Sequence, residues 1–308
     1  MSNKYKTAFW FAAGVIIASS AFIGMSFRES DKEEAKVEVK NDGRLQYKWY
    51  PPEVPQHMTF AGEKVPLERW DIQEQFEREL LYNYYNQYST LYILKLSTRY
   101  FPMIEQRLKA NGVPDDFKYL CVAESALRHQ TSPAGAVGFW QFLKGTAPSF
   151  GLEVSNEVDE RYHVQKSTDA ACKYLKDAYA KFGSWTAAAA SYNCGMGGYN
   201  KFSTYQQTSD YYNLMLPEET MRYVFRIITF KYLMSKADEI GYIVSAKDAY
   251  KPIATRTITV DATIPDLAQF AIDNGTNYRM LKLANPWLRE HSLAVKPGKT
   301  YEIEIPIR

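Results

Sequence analysis

Cysteine and histidine are scarce in this chain. Among 308 residues there are three cysteines, Cys121, Cys172 and Cys194, and four histidines, His57, His129, His163 and His291. The cysteines are far apart and odd in number, and neither they nor the scattered histidines fall at the spacings that hold a metal ion. No metal site and no cofactor is expected. Each cysteine lies among apolar or small residues in a helical context, so buried thiols are expected, with a disulfide between two of them left open. An excess of one charge is also missing. Lys and Arg number 37 against 35 Asp and Glu, a net charge of +2, which gives no electrostatic footprint for nucleic acid.

The long hydrophobic run lies at the N-terminus. Thr7 to Phe27 carries no charge and comes after Lys4 and Lys6, the pattern of an exported chain. At about 20 residues it is long enough to span a bilayer. It reads either as a signal peptide cut near Ser19-Ser20-Ala21 or as a retained membrane anchor, with the basic end cytoplasmic and everything after it outside. It contains no cysteine, so a lipoprotein-type anchor is excluded.

Beyond Phe27 the chain divides by pattern. Arg28 to Lys40 is charge-rich and reads as a solvated tether. Asn41 to Pro66 holds several prolines and reads as a linker or an extended wrap. From Leu67 the spacing of apolar residues is helical: Phe76, Leu80 and Tyr84 share one face, then Leu91, Leu94 and Tyr100. Tyr100-Phe101-Pro102 is expected to end that segment, with a short helix from Ile104 to Lys109 after it. Ser167 or Thr168 is expected to cap a helix running through Phe182, and Ser184 to cap the next, WTAAAASYN. Lys251-Pro252 marks a boundary. The chain is thus expected to contain a leader or anchor at 1–27, a linker at 28–66, a mainly α-helical domain at 67–245 and a small module at 251–308.

The centre of the chain is Val113 to Thr146. Pro114, Asp115 and Asp116 suit the start of a helix, and the pattern predicts one from Phe117 to Arg128. Most of its surface is apolar, which predicts burial. Glu124 stands in the middle of an apolar stripe. An ionised carboxylate is costly to bury unless paired. Two readings stay open on this segment alone: an ion pair with Arg128 at i,i+4, or a carboxyl kept protonated by burial as a general acid. The next loop, Ser132-Pro133-Ala134-Gly135-Ala136-Val137-Gly138, is small enough for close approach by a ligand or another backbone. Phe139-Trp140-Gln141-Phe142 then sets one amide among aromatic rings, a combination suited to a sugar cleft, although core packing is the expectation for any single ring.

These residues carry a resemblance. Glu124-Ser125 and then the run Ser132 to Phe142 resemble the catalytic core of the lytic transglycosylases related to goose-type lysozyme. Ser191-Tyr192-Asn193-Cys194-Gly195 and Leu216 to Val224 match two further motifs of that family in order and spacing. The resemblance implies a lysozyme-like helical domain that cleaves the MurNAc-GlcNAc bond of peptidoglycan on the periplasmic side of a bacterial envelope. It implies Glu124 as the catalytic residue, with Ser125, Gln141, Tyr192, Asn193 and Tyr223 binding substrate. In that family the 6-hydroxyl of N-acetylmuramic acid attacks its own anomeric carbon, so a single carboxylate suffices and the product is a 1,6-anhydro sugar. The family's Asp159-Glu160-Arg161 and Ser167-Thr168 patterns are read as structural. A lysozyme-type hydrolase and a silent wall-binding scaffold are the alternatives. Glycan strands are the expected partner, with the membrane as a second if the N-terminal segment is retained. A protein regulator is expected, though no residue identifies one.

The last 50 or so residues predict strand, helix, helix, strand. Arg256 to Val260 and Thr300 to Ile305 alternate, and Leu281-x-x-x-Asn285-Pro286 and Pro297-Gly298 mark the turns. This order resembles a LysM module, which implies binding of N-acetylglucosamine units. Asp261-Ala262-Thr263 stands where those modules usually have Gly-Asp-Thr.

Overall fold

The computed structural model describes residues 50–307. The hydrophobic segment Thr7–Phe27 and the charged stretch Arg28–Lys40 lie outside the described residues. Among the described residues no helix is long and apolar enough to cross a membrane.

Chain order begins with a hairpin, β1 (Met58–Phe60) and β2 (Glu63–Val65), paired antiparallel. Six helices come next: α1 (Trp70–Tyr84), α2 (Gln87–Ala110), α3 (Phe117–Ser125), α4 (Val164–Phe182), α5 (Trp185–Gln206) and α6 (Glu218–Ser235). The shortest, α3, sits at the centre, against α2 on one side and α6 on the other, while α1 and α5 also pack on α6 and α4 on α5. Phe117, Leu120 and Cys121 are fully buried in α3, and complete burial of one such large apolar side chain is worth about 1.5–3 kcal/mol. In α5, Ala187 to Ala190 are all fully buried. Four methyl side chains in a row let neighbouring helices approach closely.

The segment read as a linker up to Pro66 is folded onto the helices from Met58. Phe60 is buried edge-on to Phe117, with centroids 5.3 Å apart. The Glu63 carboxylate caps α5: it accepts from Trp185 N at 2.6 Å, Thr186 N at 2.9 Å, Thr186 Oγ1 at 2.6 Å and Ser184 Oγ at 2.8 Å. A carboxylate is favoured at a helix N-terminus, where backbone N–H groups lack partners. Ser184 caps the same helix through Ala187 N, as its sequence position predicts.

Three helix boundaries differ from the sequence reading, each for a local reason. α2 runs through Pro102 without ending. Pro102 lies on the exposed face, where water can serve the carbonyl that proline leaves unbonded. α4 starts one turn early, at Val164, and Ser167 and Thr168 turn their hydroxyls back onto Val164 O instead of capping. α3 stops at Ser125 rather than Arg128, because Ala126 and Leu127 adopt left-handed φ values of 51° and 56°. Arg128 is therefore off the helix, and an i,i+4 pair with Glu124 does not form.

The C-terminal module has the expected order, β3 (Thr255–Val260), α7 (Leu267–Asp273), α8 (Tyr278–Ala284) and β4 (Tyr301–Pro306). β3 and β4 pair antiparallel from Thr255↔Pro306 to Val260↔Tyr301. Asp266 caps α7 and Asn277 caps α8. Asn285 explains its motif: fully buried, it donates to Leu281 O (2.9 Å) and Glu304 O (2.6 Å) and accepts from Glu304 N (2.8 Å), tying the end of α8 to β4. A buried amide with both ends bonded avoids the cost of an unpaired polar group.

Candidate active site

Glu124 is the penultimate residue of α3 and faces α6. The Tyr223 hydroxyl donates a hydrogen bond to its Oε1. Burial pushes the Glu124 carboxyl up to about 7; the Tyr223 hydrogen bond and the Arg226 charge pull it down, and Glu219 pushes it further up. On α6, Glu219, Tyr223 and Arg226 are spaced by four and three, so they share the face turned to Glu124. Tyr223 is 1% exposed, and burial together with the Glu124 charge holds its phenol well above the usual range. Of the two readings of Glu124 left open by sequence, the i,i+4 pair with Arg128 is not formed, and burial raises the carboxyl to about 7.

The α3 terminus is built for an abrupt change of direction. Ala126 N bonds Val122 O at 2.7 Å, and the Ser125 hydroxyl donates to Cys121 O at 3.2 Å. Two successive left-handed non-glycine residues cost of order 1–2 kcal/mol each. Such strain collects at functional sites when the surroundings enforce it. Ser125 is 1% exposed, so its hydroxyl closes the helix from inside rather than facing a cleft.

Gln141 is a third left-handed residue, at φ 49°. Its side chain fixes the turn: Nε2 donates to Gly138 O at 2.7 Å and Gln130 O at 3.1 Å. Both amide hydrogens are used, which leaves Oε1 as an acceptor. The rings around it point elsewhere. Phe139, Trp140 and Phe142 are buried in the core, and Trp140 Nε1 donates to Thr168 Oγ1 at 2.9 Å. Core packing, the expectation for each ring singly, holds for all three.

Tyr192 and Asn193 come from α5, just before Gly195 breaks its helical geometry at φ 76°, ψ 149°. That backbone region is open essentially to glycine alone. The Tyr192 hydroxyl donates to Trp140 O at 2.8 Å, beside Gln141. Burial and then the charge of Glu124 push its phenol well above the usual range. Asn193 is exposed, and its Oδ1 accepts from Thr220 Oγ1 at 2.8 Å, one turn from Tyr223 on α6. Five of the six residues thus converge through α3, α5, α6 and the Gln141 loop, and Ser125 stands behind them. All three cysteines are free thiols.

Sequence reasoning missed a buried charge under this site. Glu79 of α1 is fully buried, its Oε1 2.6 Å from Arg222 Nε and its Oε2 3.5 Å from Arg226 Nε. Arg226 is also paired with Glu219 at 3.0 Å. Glu79 lies on the apolar face with Phe76 and Leu80, a mismatch visible in the sequence, but its partners are more than 140 residues away.

A helical body that carries Glu124 is followed by a β-α-α-β module. Residues 101–215 match the transglycosylase SLT domain, and residues 256–308 match the soluble lytic transglycosylase C-terminal LysM-like domain. The chain carries both domains in that order. It is homologous to membrane-bound lytic murein transglycosylase D of Escherichia coli K12, with 26% identity over 200 residues, and equally to the protein of that name from E. coli O6:H1. The alignment covers 63% of this chain and 44% of each relative, so the chain spans less than half the length of the curated relatives it matches. Glu124, Ser125, Gln141, Tyr192 and Asn193 lie within the matched SLT residues, and Tyr223 lies just beyond them.

Proposed function

We propose that this chain is a peptidoglycan lytic transglycosylase that uses Glu124 as acid and then as base. The observation that carries the reading is the Glu124 carboxyl, held by Tyr223 and shifted to about 7. An acid with a pKa near the working pH is both protonated often enough to donate and basic enough to take a proton back. Glu124 protonates the glycosidic oxygen as the MurNAc-GlcNAc bond breaks. As a carboxylate it then takes the proton from the sugar's own 6-hydroxyl, which closes onto the anomeric carbon. The product is a 1,6-anhydro-MurNAc end, and Glu124 returns to its protonated state. Tyr223 holds the carboxyl in place through both transfers. Asn193 offers amide hydrogens and Gln141 an amide oxygen to the sugar, Tyr192 fixes the backbone beside Gln141, and Ser125 sets the end of the helix. The uncharged run Thr7–Phe27 supports export, with the glycan strands on the periplasmic side as substrate and the membrane as a partner where the run is retained.

The competing hydrolytic reading needs a second carboxylate to activate water or form a covalent intermediate. Glu219 is the other carboxylate whose charge reaches Glu124, and Arg226 holds it. Glu219→Gln is expected to leave cleavage of purified peptidoglycan within about threefold of the parent chain, because it removes no group from the reaction. Loss of several orders of magnitude in a folded Glu219→Gln protein would make it the second carboxylate and the enzyme a hydrolase. The pH profile gives a second check. A general acid must be protonated, so the rate is expected to hold below pH 7 and to fall about tenfold per unit above it.

A further inference from the structure

The segment Glu153–Tyr162 lies between the Gln141 loop and the C-terminal module and is bonded to both. Toward the module it forms a short antiparallel ladder. Val158 pairs with Leu288, Asp159 N donates to Trp287 O at 2.9 Å, and Arg289 N donates to Glu157 O at 2.7 Å. Val158 is 1% exposed and belongs to the module's hydrophobic core, with Leu267, Leu281 and Ile303. Side chains continue the contact. The Glu157 carboxylate accepts from Ala294 N at 3.2 Å, the Glu153 carboxylate takes Lys299 Nζ at 2.5 Å and the Tyr301 hydroxyl at 3.1 Å, and the Arg289 guanidinium lies 4.1 Å over the Tyr162 ring.

Toward the loop, the same segment presents Arg161. Asp159 grips its guanidinium at two points, Nε to Oδ1 at 2.9 Å and Nη2 to Oδ2 at 2.7 Å. Arg161 Nη1 donates to Phe142 O at 3.1 Å and Gly135 O at 3.3 Å, the two sides of the loop. Gly138 at φ 82° presses against Arg161 O so closely that a Cβ would come within 2.0 Å of it. Both members of the ion pair are less than 10% exposed. A buried pair contributes little net stability, and a well-attested use of one is to select a single arrangement. Here the arrangement selected is that of the loop whose turn carries Gln141.

We infer that the LysM-like module is a positioning element for the Gln141 loop: the ladder at Val158 fixes Asp159, Asp159 fixes Arg161, and Arg161 fixes Ser132–Phe142. This rests on the reading of that loop as part of the cleft beside Glu124. A module that serves only to hold distant glycan would change the apparent affinity for long strands and leave the loop as it is.

Val158→Asp in the full-length chain places a charge in the module's core at the ladder and frees that edge. Amide hydrogen exchange and steady-state kinetics on short, uncrosslinked, soluble glycan strands read the effect. Exchange at Arg289 is expected to rise, and with it exchange across Ser132–Phe142 by about tenfold or more. The kcat is expected to fall by about tenfold or more, since small misplacement of a positioning group is costly, with KM within about twofold. Should Val158→Asp not fold, Arg289→Pro removes the N–H donated to Glu157 together with the guanidinium over the Tyr162 ring, and the rise in exchange across Ser132–Phe142 and the fall in kcat are expected at smaller amplitude. Faster exchange at the ladder with unchanged exchange in Ser132–Phe142 and unchanged kcat would overturn the inference. Absence of cleavage by the parent chain would count against the proposed activity alone, because the exchange experiment still decides the coupling.

Discussion

Glu124→Gln is expected to abolish glycan cleavage and at the same time to stabilise the protein at alkaline pH. The loss of activity comes from chemistry: an amide has no proton to give the glycosidic oxygen and cannot accept one from a hydroxyl, so a fall of at least about a thousandfold is expected. The fold survives because volume is conserved and the Tyr223 hydroxyl can donate to the amide oxygen as it does to Glu124 Oε1. The gain in stability comes from linkage. The Glu124 carboxyl is raised to about 7 by burial, whereas in the unfolded chain it titrates near 4.5. Between those values the folded state holds a proton that the unfolded state has lost. Stability from this group is therefore complete below the unfolded value and is lost as pH rises to about 7, where the total is on the order of 3 kcal/mol. Glutamine stays neutral at every pH. Thermal melts at pH 5 and pH 8 should show the variant gaining on the parent chain as pH rises. Equal pH dependence of the two melts would mean that Glu124 is ionised in the folded protein.

The second large effect is expected away from the carboxylate that reacts. Glu79→Ala removes the buried partner of Arg222 and Arg226 and leaves two half-buried guanidinium groups facing each other's charge. Breaking one side of a buried ion pair costs about 3–5 kcal/mol, and the lower end is expected here because both arginines keep some exposure. In a chain of this size that lowers Tm by about 6–12 °C. The same change has a second consequence of definite sign. Arg226 already pulls the Glu124 carboxyl down, and without Glu79 its charge is less compensated. The alkaline limb of the rate profile should then move to lower pH. A melt within about 1 kcal/mol of the parent would show that the pair is not needed for the fold.

The fold was legible wherever a local pattern decided it. The two alternating strands and two short helices of the C-terminal module lie where their sequence pattern puts them, to within a few residues at their ends. Glu124 could be singled out because a carboxylate in an apolar stripe is improbable without a partner or a task. The features that could not be read depend on contacts made across the fold. Glu63 as the cap of α5 joins residues about 120 apart, and Arg222 reaches Glu79 across 143 positions. The early end of α3 was invisible because Ala126 and Leu127 are ordinary helix formers, driven left-handed by their surroundings. Ser125 and the rings of Phe139, Trp140 and Phe142 carry the right motif letters yet face the interior. The helix through Pro102 was missed because the cost of an interior proline, a lost hydrogen bond and a ring clash, is outweighed here by the packing of a 24-residue helix.

The most direct measurement is the mass of the soluble fragments that the chain lacking residues 1–27 releases from purified peptidoglycan, with the Glu124→Gln variant beside it. The proposed mechanism predicts fragments one water lighter than hydrolysis products from the parent and none from the variant. Fragments with free reducing ends would contradict it, because water rather than the sugar's own hydroxyl would then be the nucleophile.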